Sequence, residues 1–153
     1  THQKYSYNLF LKLKQYFDYK MRIPLILVDG TPRVNATLIS SHYHFGLAGI
    51  TFIVDTGSDE TFIGGDDLAK LQIPIDSLHK KDIFKMAGSK YNLLFGKEGA
   101  LIFKTDKNKT TRIELSNIPL AKTTSKRISD QEVIPSILGT DFLEKNKLIL
   151  VYF

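Results

Sequence analysis

This chain of 153 residues contains no cysteine, which excludes disulfides, thiolate metal sites and cysteine nucleophiles. It also lacks a long apolar run, because the stretch at residues 23–28 is far shorter than the roughly 20 residues of a membrane-spanning helix. No signal peptide is visible. The chain begins at Thr1 rather than Met, so we expect either a processed product or a trimmed chain, and a membrane anchor outside this fragment stays an open alternative. The sequence assigns no compartment.

The charge of the chain is modest and unevenly spread. The formal net charge is +5, and the basic excess lies in residues 77–153, which hold 14 Lys or Arg against 8 Asp or Glu. A basic half can attract nucleic acid. These lysines are scattered, however, and no stripe of aromatic residues is interleaved with them, as binding sites for single-stranded nucleic acid usually have. We therefore favour a solvated basic face and expect no nucleic-acid partner.

The hydrophobic pattern predicts mainly strands. Period-two alternation and short apolar runs bounded by turn residues recur at residues 5–13, 21–28, 34–39, 49–54, 83–86, 91–95, 100–104, 112–120, 134–138 and 147–153. Asp29-Gly30 is a strong hairpin dipeptide. Short helices are indicated only at residues 66–71 and 141–146. The sequence predicts an all-β domain with one or two short helices.

One carboxylate stands out at the end of a strand. Residues 51–54 form an apolar strand that runs directly into Asp55-Thr56-Gly57. A carboxylate at the end of a buried strand is costly unless something satisfies it, which indicates a purpose. The chain has only one such turn, and acid–base chemistry with two carboxylates needs a second aspartate from elsewhere.

A second segment gives this turn its context. Within residues 136–143, the apolar pair Ile137-Leu138 is followed by Gly139 and then by a predicted short helix. Together, with a candidate glycine hairpin between them, the two segments resemble those of the retropepsin family, the retroviral-type aspartic proteases. The resemblance implies a retropepsin-like acid-protease fold, a closed β-barrel-like half with a flap hairpin, over residues 21–153. Residues 1–20 are then a strand-like N-terminal extension.

The same resemblance implies the chemistry. Asp55 would be the catalytic carboxylate, Thr56 would join two active-site loops by hydrogen bonds, and Gly57 would let the backbone approach the substrate. A single Asp-Thr-Gly turn means that the active enzyme is a homodimer, with one Asp55 from each subunit. The function implied is an aspartic endopeptidase whose Asp dyad activates a water. No metal or organic cofactor is implied.

The resemblance also implies substrate contacts. The flap tip would be Ala87, Gly88 and Ser89, with the glycine turn at residues 96–99 as the alternative. Ile53 and Ile137 would line the pockets for a peptide or protein substrate with apolar residues near the scissile bond. Asp59 is assigned to substrate binding in the same way.

Two positions of this chain, Thr140 and Ser58, depart from the retroviral pattern. Thr140 stands where retroviral members commonly have an arginine that pairs with the residue matching Asp59, so Asp59 must be satisfied otherwise. Ser58 replaces an alanine, and we expect its hydroxyl to hydrogen-bond the Asp55 carboxylate and to give an acidic optimum. Both chain ends are strand-like, which suits a dimer sheet built from terminal strands.

Other readings stay beside this one. A retropepsin-like module could dimerise or bind peptides without cutting them. Residues 64–67 read Gly-Gly-Asp-Asp, a metal-binding turn in palm-domain enzymes, but a turn that begins a helix is favoured because long helices are missing. His42 and His44 could bind a metal, yet no third ligand is close in sequence, so surface histidines are favoured.

Overall fold

The computed structural model describes residues 9–13, 21–86, 89–124 and 134–152. Strands dominate this part of the chain: β1 (Leu9–Leu13), β2 (Arg22–Pro24), β3 (Ile26–Val28), β4 (Thr31–Ile39), β5 (Ala48–Val54), β6 (Lys80–Met86), β7 (Ser89–Phe95), β8 (Gly99–Lys104), β9 (Thr110–Leu115), β10 (Pro119–Thr123), β11 (Ser136–Leu138) and β12 (Leu148–Tyr152). The helices are α1 (Gly65–Leu71), α2 (Thr140–Lys145) and a 3-10 turn at Ile75–Ser77. The predicted all-β class with short helices is confirmed. No helix in these ranges is long and apolar enough to cross a membrane.

The strands form three sheets. The largest has the order β11-β5-β4-β8-β9, with β3 added against β4. A second sheet has the order β10-β7-β6, and a third has the order β12-β1-β2. The pairing of β11 with β5 is parallel and sets Leu138 beside Val54, whereas the other pairings of these strands are antiparallel. The parallel pair ends at Asp55, and so positions the candidate site.

The position of β5, the strand that leads to Asp55, is fixed by the alternation of buried and more exposed side chains along it. In β5 the side chains of Ile50, Phe52 and Val54 are buried, while Thr51 between them is exposed. Successive side chains of a strand point to opposite faces, so one face of β5 joins the main core. Burial of Phe52 alone is worth about 1.5–3 kcal/mol. A one-residue slip would expose this set, and the register that delivers Asp55 is therefore strongly specified.

The predicted hairpin at Asp29-Gly30 is confirmed. Val28 pairs with Thr31, so the loop between β3 and β4 has two residues. Both have positive φ, 50° for Asp29 and 78° for Gly30. Two positive φ values characterise the type I′ turn, whose twist matches that of the flanking strands.

The hairpin predicted as the flap is also present as two strands. β6 and β7 pair with Phe84 opposite Tyr91 and with Lys85 opposite Lys90. Ser89 opens β7 opposite Met86. The predicted tip residues Ala87 and Gly88 lie outside the described residues, so their role stays a prediction.

One strand boundary differs from the expected one. The single strand predicted over residues 112–120 is wrong, because β9 ends at Leu115 and β10 begins at Pro119. The reason is a change of sheet, since β9 pairs with β8 and β10 pairs with β7. Within the predicted N-terminal extension, β1 is the central strand between β12 and β2. The division of the chain at residue 20 stays a prediction.

Candidate active site

Asp55 lies where β5 and β11 end side by side. Its backbone N–H donates to the carbonyl of Leu138 at 3.0 Å, which continues the parallel ladder by one bond. The chain then turns, and the Ser58 N–H closes the turn on the Asp55 carbonyl at 3.2 Å. Asp55 is half-buried, whereas Thr56 and Gly57 are exposed. The carboxylate is therefore fixed at the surface end of a rigid strand pair.

The turn also orients the carboxylate. The Gly57 N–H donates to Oδ1 of Asp55 at 2.9 Å. A Cβ atom on residue 57 would lie 3.2 Å from that oxygen, tighter than most Cβ contacts, so glycine suits this position. The Thr56 hydroxyl makes no hydrogen bond within the part of the chain that is described. The predicted catalytic residues Asp55, Thr56 and Gly57 thus share one compact turn.

A polar network that the sequence did not indicate ties this turn to the second segment. The Thr61 hydroxyl donates to Oδ1 of Asp141 at 2.6 Å and accepts from the Gly139 N–H at 2.8 Å. The Thr140 N–H donates to the Ser58 carbonyl at 2.8 Å. These bonds link the loop after Asp55 to the start of α2, where the retroviral pattern would place an arginine.

Gly139 is required by contact and not by its φ angle. A Cβ atom there would lie 2.5 Å from the Glu60 carbonyl oxygen and 2.6 Å from that of Ser58. Both obstacles are backbone atoms that cannot turn away as a side chain can. The second segment therefore packs against the Asp55 loop backbone to backbone, which explains the glycine in the motif.

An apolar cluster lies between the strand pair β5–β11 and the β6–β7 hairpin, which is the predicted flap. Phe62 exchanges two 2.9 Å backbone bonds with Ile137, and its ring centroid lies 5.0 Å from that of Phe84. Phe84 in turn stacks on Tyr91, with centroids 5.6 Å apart. Ile137 is buried and the half-buried Ile53 packs against the same cluster. The two predicted pocket residues are therefore brought together, and their contact with a substrate stays a prediction.

The remaining predicted residues lie around this centre. Asp59 is exposed, and its side chain makes no hydrogen bond or ion pair within the described ranges. The expectation for Ser58 is wrong, because its hydroxyl donates to the Glu60 carbonyl at 2.9 Å and not to Asp55. Ser89 begins β7, whereas Ala87 and Gly88 lie outside the described residues.

The side chains of the two alternative metal-binding patterns make other contacts in the structure. Asp67, in the Gly-Gly-Asp-Asp stretch, lies in α1 and accepts hydrogen bonds from Ser136 Oγ and Lys70 Nζ, both at 2.9 Å. His42 Nε2 lies 3.1 Å from Glu98 Oε1. Among the residues the structure describes, no group of three or more His, Asp or Glu side chains could hold a metal ion.

The likeness of this chain to known proteins is distant. No protein-family model and no curated protein matches this chain. A crystal structure of a retropepsin-like aspartic protease from Rickettsia conorii is similar to it with a TM-score of 0.45 and 15% sequence identity. The alignment covers 100% of this chain and 95% of that one.

Proposed function

We propose that this protein is an aspartic endopeptidase that acts as a homodimer, with its catalytic dyad formed by Asp55 of two subunits. The substrate is a peptide or protein with apolar residues near the scissile bond. The proposal needs no metal or organic cofactor, since the two carboxylates and a water suffice for the reaction.

The observation that carries the proposal is the geometry of the Asp55 turn. A lone carboxylate stands half-buried at the end of a parallel strand pair, and the Gly57 amide orients one of its oxygens. The Gly57 N–H lies two residues after Asp55, so this bond is an Asx-turn, which engages only one of the two carboxylate oxygens. In the described residues, Gly57 N–H is the one donor to the Asp55 side chain, so the other oxygen is left for a partner or a water.

The chemistry follows from bringing two such turns together. Two carboxylates about 3 Å apart cannot both ionise cheaply, so the pair shares one proton. The ionised member takes a proton from a water as that water attacks the peptide carbonyl, and the protonated member hydrogen-bonds the carbonyl oxygen. Because the two subunits are identical, the Asp55 of either subunit can take either role.

Two features of the described residues support assembly as a dimer. The Thr56 hydroxyl is exposed beside Asp55 and has no partner in the described part of the chain, which suits a hydrogen bond to a second subunit. β12 is an edge strand of its sheet, and Ile149 on it is 37% exposed. An edge strand presents unpaired backbone groups that a second strand can satisfy.

The apolar preference is supported by the cluster around Phe84. Side chains of the flap hairpin and of the active-site strands meet there, with Ile53 at its partly exposed margin. A substrate side chain placed between them would be covered mainly by hydrocarbon, which favours apolar residues.

The test is digestion of a peptide library between about pH 4 and 7, the range in which perturbed carboxyl groups titrate. We expect cleavage by the native chain and a loss on the order of a thousandfold or more in Asp55→Asn, with the dimer retained in sedimentation. Asp106→Asn, a carboxylate on the β8–β9 turn, is the matched control and should cleave normally. A statine-type inhibitor should block the native activity.

The outcomes separate the alternatives. Cleavage that persists in Asp55→Asn means that another group is the catalyst. A native chain that dimerises and binds peptides at every pH tested without cutting them is a binding module, and the proposed activity is then wrong.

A further inference from the structure

A cavity of about 710 Å³ lies apart from the Asp55 turn, at the root of the flap hairpin. Its walls are the loop at residues 42–45, the segment at residues 71–79 that follows α1, and the end of β7 at residues 95–97. The predicted catalytic residues, pocket residues and flap tip do not line it, whereas Gly96 and Lys97 of the alternative flap turn do. Its size falls within the range of pockets that hold small organic molecules.

One wall of the cavity, the loop at residues 42–45, is held by hydrogen bonds to the turn after β7. The Ser40 hydroxyl donates to the Glu98 carbonyl at 2.7 Å, and His42 Nε2 lies 3.1 Å from the Glu98 carboxylate. The Lys97 N–H donates to the Tyr43 hydroxyl at 2.9 Å. The segment from Ser40 to Tyr43 is thus bonded to the turn after β7 at three points, so the loop that lines the cavity is held in place.

The interior of the cavity is apolar and aromatic. Tyr43 stacks on Phe45 with ring centroids 6.1 Å apart. Leu71 is buried, and Leu78 and Phe95 complete the hydrocarbon surface. Such a lining favours a ligand with an aromatic or aliphatic body, because burial of apolar surface is worth roughly 25 cal/mol per Å².

The mouth of the cavity carries positive and hydrogen-donating groups. All three histidines within the described residues, His42, His44 and His79, line it together with Lys97. No Asp or Glu is among the described residues that line it. Glu98, which does not line the cavity, contacts His42. The side chains of His44, His79 and Lys97 make no hydrogen bond or ion pair in the described ranges. An anionic head group would meet three unoccupied donors.

We propose that this cavity binds a small organic anion with an apolar body, of the class of aromatic or fatty carboxylates and sulfonates. The apolar body lies against Tyr43 and Phe45, and the anionic group lies at the mouth beside Lys97, His44 and His79. A metal ion is not the ligand, since the histidines do not form a chelating group in the described part of the structure. This site is independent of the proposed protease activity.

The test compares two fluorescent probes that differ in charge. Anilinonaphthalene sulfonate is the anionic probe, and phenylnaphthylamine is its neutral counterpart. We expect the native chain to bind the sulfonate more tightly than the neutral dye. Lys97→Met should weaken the sulfonate about three- to fivefold, the contribution of one partly exposed ion pair, and leave the neutral dye unchanged. Phe45→Ala should weaken both dyes about tenfold, because both lose the aromatic wall.

Two further measurements localise the binding. Lys109→Met, a lysine on the distant β8–β9 turn, should leave both affinities unchanged. In nuclear magnetic resonance spectra the ring signals of His44 and His79 should shift as the sulfonate is added. Equal affinity for the two dyes, unchanged sulfonate binding in Phe45→Ala, or histidine signals that do not move would each overturn the proposal.

Discussion

The Thr61 hydroxyl donates a 2.6 Å hydrogen bond to Oδ1 of Asp141, a residue 80 positions later in the chain. The same hydroxyl accepts the buried N–H of Gly139 at 2.8 Å. One side chain on the Asp55 side of the contact therefore satisfies two groups of the second segment. Oδ1 of Asp141 also accepts the Phe142 N–H at 2.7 Å, so the network extends into the first turn of α2.

Replacing Thr61 should measure the strength of this network. Thr61→Val keeps the shape of the side chain but leaves the Gly139 N–H buried without an acceptor. We expect the free energy of unfolding to fall by about 1–3 kcal/mol, the cost of an unsatisfied buried group. Thr61→Ser keeps the hydroxyl and should lose clearly less. Urea unfolding of the three proteins measures the difference, and equal losses in both variants would mean that packing, rather than hydrogen bonding, holds the segments together.

Gly139 should tolerate no side chain. In Gly139→Ala the new Cβ meets two carbonyl oxygens at 2.5 Å and 2.6 Å, so the Asp55 loop or β11 must move. We expect a loss of about 1–3 kcal/mol or more in the free energy of unfolding. Gly49→Ala is the matched control, because a Cβ there meets nothing within 4 Å and the residue lies in β5. A thermal melt of both variants tests this, and a Gly139→Ala midpoint equal to that of Gly49→Ala contradicts the close packing.

The parts of the fold that follow local rules could be predicted from the sequence. Three features depend only on neighbours in sequence. They are the alternation of buried and exposed residues in β5, the Asp29-Gly30 turn, and α1 with its acidic first turn. The Asp55 turn belongs to this group, because an apolar run followed by Asp-Thr-Gly is visible in a few residues.

Contacts between distant segments could not be predicted in this way. Nothing near Thr61 indicates that its partner is Asp141, and the residue type alone did not distinguish Asp141 from a helix-starting aspartate. The Ser58 hydroxyl found a nearer acceptor in the Glu60 carbonyl than the expected carboxylate. The break between β9 and β10 could not be predicted because both halves are strand-like, and only their pairing with different neighbours separates them.

Acid should weaken one ion pair at the edge of the fold. Lys122 Nζ donates a 2.9 Å hydrogen bond to Asp76 and, by this bond and its charge, lowers the pKa of that carboxyl below its ordinary value. A carboxyl whose pKa is lower in the folded state stabilises the fold above its unfolded pKa, and that stabilisation disappears as pH falls through the lowered value. The effect is small, because Asp76 is exposed and solvent screens the pair.

Comparison of Asp76→Asn with the native chain isolates this effect. Between about pH 6 and pH 2, which brackets the ordinary aspartate range, the native chain should lose more unfolding free energy than Asp76→Asn. Lys122→Met should behave like Asp76→Asn, and the double variant should add nothing further. Urea unfolding at the two pH values provides the measurement, and native and Asp76→Asn proteins with the same acid loss would contradict an Asp76–Lys122 contribution.

Thr56 should affect assembly more than chemistry if the dimer forms through the Asp55 turns. Thr56→Val removes a hydroxyl that has no partner in the described part of one subunit, so the isolated subunit should keep its stability. The dimer loses a hydrogen bond at each of two symmetric positions, and we expect its dissociation constant to rise on the order of tenfold or more. Thr56→Ser should restore the native value.

Sedimentation over a concentration series measures the constant, and peptide cleavage by Thr56→Val should recover at protein concentrations well above it. A native dissociation constant in Thr56→Val places the interface elsewhere, and cleavage that stays lost in a fully dimeric variant assigns Thr56 to the chemical step instead.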